Sequence, residues 1–478
     1  MNLSSSSREG QKPLFILPVI VFAAIFMAVV DGSVVNIALP TITDYFGVNV
    51  TLSQWIVTGY LVTMTSLLLV FGRISEFIGR RRVFILGFLV FTLASLACGL
   101  SQDLMQLILF RVIQAIGASM LFSISGAIIF SLYQKSERGK AMGYVGATVA
   151  VGSIAGPVLG GFLVDTLGWE YIFLINVPIG ALFIPLAMKY LRKEGQDIKP
   201  VRMDWAGAAA MVTCMVSLMF MLSAFAGEHA VSLAVTGFAM VFLCSLGAFI
   251  LIERRVSEPL LDLPIFRVYP FSLSIFATFL YFIAIFMINM AGPFYFEGVY
   301  GLSPSQVGIV YLVIPLIMVV GSPLAGWLYD RHYSPYYPMA GMTLAGFSII
   351  ALAIMASSGD LVLVIAAFFP MAVGFALFQS PNNTEVMSAL PAEKVSIASS
   401  VSATARNLGM AIGASFASIL LVMSAQASGY TGPLTGAGND ILTSALVIVM
   451  CIAGALCLFA AWVSLARARV DEKRQHPE

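Results

Sequence analysis

Runs of about 20 apolar residues recur along the whole chain, separated by short polar connections, and this pattern leaves little choice of fold. A hydrocarbon core roughly 30 Å thick needs about 20 residues of helix to cross it, and in lipid each segment must satisfy its own backbone hydrogen bonds. Each run therefore reads as a spanning helix. Of 478 residues 59% are apolar and 10% charged, and the mean hydropathy is +0.95, far from the mix of a soluble globular domain. The first run, about 25 residues from Leu14, is too long for a signal-peptide core and has no small-residue cleavage site after it, so it is expected to stay as an anchor.

The yardstick predicts an all-α membrane protein with fourteen spans, at 14–38, 53–71, 82–100, 104–132, 140–163, 170–191, 205–226, 231–252, 271–296, 305–328, 336–356, 361–383, 395–425 and 441–466. Basic loops stay cytoplasmic during insertion. All Lys and Arg except Arg111 and Arg406 fall at the N-terminus, in alternate loops or in the tail from Arg467, while the intervening loops hold only acids such as Asp44, Asp103, Asp165 and Glu228. Both termini are therefore expected in the cytoplasm. Two charged segments broken by Gly or Pro, within 192–204 and 253–270, read as linkers. They divide the chain into a cytoplasmic N-terminus (1–13), a six-helix bundle (14–191), a two-helix insertion (205–252), a second six-helix bundle (271–466) and a cytoplasmic tail (467–478). A faint repeat supports this 6+2+6 reading: GRISEFIGRR from Gly72 follows the second span and GWLYDRH from Gly326 follows the tenth. Internal repeats of this kind typify secondary transporters, whose substrate site lies between the halves near the midplane.

Several other functions drop out. No basic block with interleaved aromatics suggests nucleic acid. Cys98, Cys214, Cys244, Cys451 and Cys457 stand singly, and His229, His332 and His476 lie in loops or the tail, so neither a metal site nor a disulfide framework is indicated. A lipid-processing enzyme would need clustered His, Asp or Glu at the membrane surface, and no such cluster is present. A GxxxxGK[ST] loop is missing too, so ATP is not the expected driver.

Two glycine-bearing motifs stand out. In GRISEFIGRRRVF, Gly72 and Gly79 allow a tight connection, Glu76 precedes a helix N-terminus, and Arg80 begins a basic cluster. The spacing, echoed at Gly326, Asp330 and Arg331, suggests a charged clasp as well as a topology signal. In the fifth span Gly143, Gly152, Gly156, Pro157 and Gly160 form G-x8-G-x3-G-P-x2-G. Glycines every fourth residue make a stripe where another helix backbone can come close, and Pro157 adds a bend.

Charge inside a span is costly and is a functional candidate by default. At about 1.5 Å per residue, Asp31 lies about 25 Å in from the cytoplasmic end of the first span and Arg111 about 10 Å from the external end of the fourth, at similar depth. The opposed pulls of a guanidinium and of burial would make protonation of Asp31 sensitive to which way the cavity opens; the alternative is a static buried ion pair. Arg406 lies about 15 Å from the cytoplasmic side, either lining a cavity or donating to backbone carbonyls. Glu297 falls at the external rim. Asn36, Tyr60, Gln114, Tyr281, Asn289 and Tyr295 are further candidates for a cavity wall.

With these residues together, the chain resembles the major facilitator superfamily, specifically its 14-helix drug:proton antiporter branch of the EmrB/QacA type. VVDGSVVNIALP is similar to the branch's first-helix signature, GRISEFIGRR to the superfamily loop, RVIQAIGA from Arg111 to the fourth-helix motif and the fifth-span glycines to the antiporter motif. QWIVTGYL, GWEYIFLINVPIG and ARNLGMAIG also resemble the branch. Glu76, Phe77 and Ala115 depart from the usual Asp, Arg and Gly. The resemblance implies that Asp31 is the proton-coupling carboxylate, Arg111 its partner and the fifth helix part of the surface on which two bundles rock.

The expected activity is proton-coupled export of lipophilic drugs or other amphipathic small molecules by alternating access, by a monomer in the cell membrane, with the proton gradient as energy source and no cofactor. One interior acid against two arginines favours a neutral, monocationic or zwitterionic substrate over a dication. The alternative is export of an endogenous metabolite, lipid-like molecule or siderophore; a membrane enzyme or a non-transporting sensor is more remote.

Overall fold

The computed structural model describes residues 16–132, 138–191, 204–227, 232–256, 261, 263–357, 359–391, 395–430, 432, 434 and 438–475. Within its helices some side chains, including those at Leu69, Glu76, Gly143 and Asp330, lie outside the description, as do the expected N-terminus 1–13 and most of the linker 192–204.

The described chain is helical throughout its regular structure. In order, the helices are α1 (Ile16–Tyr45), α2 (Val50–Ser53), α3 (Trp55–Ile78), α4 (Arg80–Gly99), α5 (Leu104–Leu132), α6 (Arg138–Thr166), α7 (Tyr171–Leu174), α8 (Asn176–Tyr190), α9 (Trp205–Gly227), α10 (Leu233–Glu253), α11 (Tyr269–Tyr300), α12 (Pro304–Tyr311), α13 (Val313–Arg331), α14 (Tyr337–Ala356), α15 (Leu361–Ser388), α16 (Val395–Ala427) and α17 (Asn439–Gln475). Their ends follow local rules. Ser303 caps α12 in a reciprocal box with Gln306, Asp360 caps α15, and Gly301 ends α11 at φ 62°.

Twelve helices among the described residues are long and apolar enough to cross a membrane, which corrects the expected fourteen-span, 6+2+6 reading. The expected spans at 53–71 and 140–163 fall on α3 and α6, and neither is among the twelve. A crossing needs an unbroken apolar stretch of about 20 residues, and both α3 and α6 contain positions outside the description. Twelve is the number the described residues support.

Helix pairing repeats along the chain. α1 packs on α6, α3 on α5, α4 on α5 and α8; correspondingly, α11 packs on α16, α13 on α15, and α14 on α15 and α17. The crossings match in detail. A Cβ on Gly117 of α5 would lie 2.5 Å from Phe91 N of α4, and one on Gly374 of α15 would lie 2.6 Å from Ala345 N of α14. Only a missing side chain lets either pair of backbones meet so closely. The two packing groups are called halves below. Between them in sequence, α10 packs on α9, and α9 on α3 and α16. The halves meet through α1 with α11 and α12, α6 with α12 and α13, and α3 with α16.

Candidate functional site

Asp31, on α1 and 1% exposed, is the centre of a buried polar network in the first half. Arg111 Nη1 donates to its Oδ2 at 2.5 Å, while Gln114 Nε2 (2.8 Å) and Asn176 Nδ2 (3.0 Å) donate to its Oδ1. Arg111 and Gln114 stand three residues apart on α5, hence on one helix face. Asn176 reaches the site because the chain breaks at Ile175 between α7 and α8, and Pro178 sits in the first turn of α8, where a missing N–H is tolerated.

The guanidinium is held on all sides. Its Nε donates to the Ile56 carbonyl (3.1 Å) and its Nη1 also to Gln114 Oε1 (2.6 Å). The Tyr60 ring lies 4.0 Å below its Cζ and the Phe173 ring 5.5 Å away, a geometry that favours a cation. Gln114 Nε2 donates in addition to Ser95 Oγ at 2.7 Å. Asp31, Arg111, Gln114 and Tyr60 thus come together as one unit from α1, α3 and α5. Asn176 and Ser95 belong to it and were not singled out from sequence; uncharged amides and hydroxyls do not announce themselves in an apolar run as a charge does. The chemical capacity of the unit is to hold one carboxylate in hydrocarbon by three donors, at least two of which, the amides, are neutral and would still fit a carboxyl group carrying a proton.

The fifth-span glycines divide their work. Gly152, Gly156 and Gly160 face Val29, Ser33 and Val34 of α1, so the stripe packs within the first half. The contact with the other half is made by their neighbours. Gly161 of α6 meets the Pro304 backbone of α12, and Gly308 of α12 meets the Pro157 carbonyl. Asp165, one turn further along α6, accepts from Ser303 Oγ (2.9 Å) and Ser305 N (3.2 Å) at the N-terminus of α12. A carboxylate from one half therefore caps a helix of the other, at the membrane face opposite the basic loops.

Gly79 has φ 90° and joins α3 to α4, a conformation suited to glycine, and a Cβ on Gly72 would only touch Ser123 of α5. Arg80 opens α4, and Arg81 beside it donates to the Met188 carbonyl of α8 at 2.5 Å. Arg331 stacks on Trp327 of its own helix, 5.3 Å from the ring. The expected clasp residues Glu76 and Asp330, and Gly143 of α6, lie outside the described side chains.

The remaining wall candidates scatter. Tyr281 packs among Phe282, Phe375 and Phe378 inside the second half, and Tyr295 donates to the Ala356 carbonyl at 3.0 Å. Asn36 is buried with its Oδ1 unpartnered, Asn289 is partly accessible, and Glu297 has one buried oxygen without a partner, close enough to Asp165 for the two charges to interact. Sequence reasoning missed a second buried ion pair: Arg467 Nη1 lies 2.7 Å from Glu385 Oε1, Tyr329 donates to the same oxygen, and Arg467 Nη2 donates to the Pro335 carbonyl.

Residues 21–414 match the Major Facilitator Superfamily. The chain is 33% identical to the riboflavin transporter RibZ of Clostridioides difficile (strain 630) over 86% of its own length and 89% of that protein's. It is 30% identical to the multidrug resistance protein Stp of Mycobacterium tuberculosis (strain CDC 1551 / Oshkosh), over 81% and 72% respectively. In fold it is similar to the inward-facing, unoccupied structure of a bacterial homolog of the human lysosomal transporter Spinster, with TM-score 0.66, 18% identity, and coverage of 96% of this chain and 98% of that one. That likeness is to a twelve-helix architecture, in line with the twelve candidate spans. Bacterial relatives place such a multi-pass protein in the plasma membrane, and the superfamily consists of transporters rather than enzymes. By family match, relatives and fold together, the chain belongs to the Major Facilitator Superfamily.

Proposed function

We propose that this transporter is a proton-coupled antiporter that exports lipophilic or amphipathic small molecules by alternating access. The observation that carries the reading is the Asp31 carboxylate, buried in a crossing helix and held by Arg111, Gln114 and Asn176. Here the amides complete a pocket that fits the carboxyl in either charge state, as a site that alternately binds and releases a proton requires. Relatives named as multidrug transporters support the substrate class. A second reading, uptake or release of a metabolite, is favoured by the identity with RibZ, whose printed name gives riboflavin as cargo. No cofactor takes part in either scheme, and one chain suffices for both.

The test uses proteoliposomes loaded with neutral, cationic or anionic lipophilic fluorophores, and separately with riboflavin. An imposed proton gradient should drive movement of at least one fluorophore class, and Asp31→Asn should abolish it. Proton-driven movement that survives unchanged in Asp31→Asn would sink the coupling role of this residue. Movement of riboflavin alone would select the second reading.

A further inference from the structure

Two acids of opposite halves meet at the face opposite the basic loops, and only one of them is paired. Asp165, on α6 of the first half, accepts two hydrogen bonds, both on Oδ2, from Ser303 Oγ at 2.9 Å and Ser305 N at 3.2 Å. Its Oδ1 stays open to another donor. Glu297, in the last turn of α11 in the second half, has its Oε1 buried without a partner among the described residues. The two carboxyl groups are close enough for their charges to interact. A short turn fixes that neighbourhood. Gly301 N donates to the Glu297 carbonyl (3.0 Å) and Leu302 N to that of Phe296 (3.2 Å), and Ser303, the cap of α12 that Asp165 holds, follows directly.

A buried carboxylate oxygen is ordinarily paired with a donor. The loops at this face contain no Lys or Arg to supply one. The other titratable groups at this end of the elements packed against α11 are Asp44 and Tyr45 of α1, Tyr311 of α12, Asp360 before α15, Tyr430 after α16 and Asp440 of α17, and none of them bears on Glu297 as Asp165 does. Tyr295 and Tyr300 of its own helix pair with each other. With Glu297 and Asp165 both ionised, closing this face sets two negative charges against one another across the halves. A single proton on Glu297 removes the repulsion and turns an unpartnered acceptor into a donor. When the halves part, water reaches the carboxyl and takes the proton back.

We propose that Glu297, facing Asp165 across the two halves, is a second proton-binding site, which takes a proton from the water outside as this face closes and returns it there as the face opens. The inference rests on the alternating-access reading above and adds a gate to it. The proton at Glu297 does not cross the membrane. It makes closure easier when the outside is acid, which is the side from which Asp31 would be loaded. Each closure takes up one proton, so the closed-to-open ratio changes by up to about tenfold per pH unit.

Double electron-electron resonance tests it, with spin labels at Leu100→Cys and Val362→Cys, 65% and 73% exposed in the parent, on the full-length protein in detergent after replacement of the exposed Cys244 and Cys451. Every chain in the series carries Asp31→Asn, so that the central carboxyl does not titrate. As the pH rises from about 5 to about 9 the short-distance population should fall, its ratio to the long one changing by up to about tenfold per pH unit. Glu297→Gln, which keeps a donor and cannot ionise, should hold this face closed at every pH. Asp165→Asn keeps an acceptor for both serines and should flatten the response as well; it serves if Glu297→Gln fails to fold. Distances that ignore pH in the chain with native Glu297, a response that survives unchanged in either variant, or a Glu297→Gln chain that stands open overturns the site. Proton-driven efflux by the chain with native Asp31 is the separate readout: its absence with the pH response intact sinks the antiport reading and not the gate, whereas efflux with a flat response sinks the gate alone.

Discussion

The Asp31 carboxyl lies buried among donors from two other helices, Arg111 and Gln114 of α5 and Asn176 of α8. Removing one partner of a buried pair leaves a bare charge, at a cost of about 3–5 kcal/mol, whereas removing both is far less damaging. Arg111→Met should therefore lower the unfolding temperature in detergent clearly, and the double variant Asp31→Asn, Arg111→Met should recover most of the loss. If the double variant is no more stable than Arg111→Met, the two residues are not an energetic pair. Asn176→Ala removes one of three donors to the same carboxylate, worth roughly 1.5–3 kcal/mol for a bond to a charged group. It should slow proton-driven efflux while leaving binding of a neutral probe intact, a split that a merely loosened fold would not produce. At this scale the sequence was legible where a charge interrupts an apolar run, as at Asp31, Arg111 and Arg406. It was not where the partner is an amide or a hydroxyl, because Asn176 and Ser95 look like any polar residue in a membrane helix until the fold brings them to 3.0 Å of Asp31 and 2.7 Å of Gln114.

Elements pair through positions where a side chain has no room. Gly117 and Gly126 lie on the same helix, yet a Cβ on Gly117 would meet the α4 backbone at 2.5 Å while one on Gly126 would meet nothing within 4 Å. Gly117→Ala should cost about 1–3 kcal/mol through forced separation of α4 and α5. Gly126→Ala should be neutral or stabilising by up to about 1 kcal/mol, since alanine is the better helix former. Thermal unfolding of the two variants decides, and equal behaviour would mean that the crossing is not tight. Periodic apolar runs made most helices readable, and the glycine pattern correctly marked α6 as a helix that others approach. Their ends were less readable. Drawing spans to stop where charge begins ended two of them at 383 and 466, although α15 continues to Ser388 and α17 to Gln475. Glu385 and Arg467 consequently read as loop and tail residues, when each pays for the other's burial inside a helix. The span count differs at α3 and α6, where positions outside the description interrupt the apolar stretch that a crossing needs.

Across the whole molecule, helix pairing repeats in two similar units, and on the alternating-access proposal the contacts between them would decide which side is shut. At the face opposite the basic loops, Asp165 of α6 holds Ser303 and Ser305 at the start of α12, beside the close passage of Gly161 and Gly308. Asp165 is exposed, so the cap is worth roughly 0.5–1.5 kcal/mol, enough to change an open-to-closed ratio by about two- to tenfold. Asp165→Ala should therefore raise the population open at this face without unfolding either half. Spin labels at Leu100, between α4 and α5, and Val362, at the start of α15, report the separation, since both side chains are well exposed and belong to different halves. Cys244 and Cys451, the exposed cysteines among those described, are replaced first so that labelling stays specific. The variant should gain a longer-distance population that the parent shows only weakly, and substituting Ser303 by alanine should give a smaller change in the same direction, because Ser305 N still reaches the carboxylate. Identical distance distributions in parent and Asp165→Ala would show that glycine-mediated backbone packing alone, and not the carboxylate, holds this face closed.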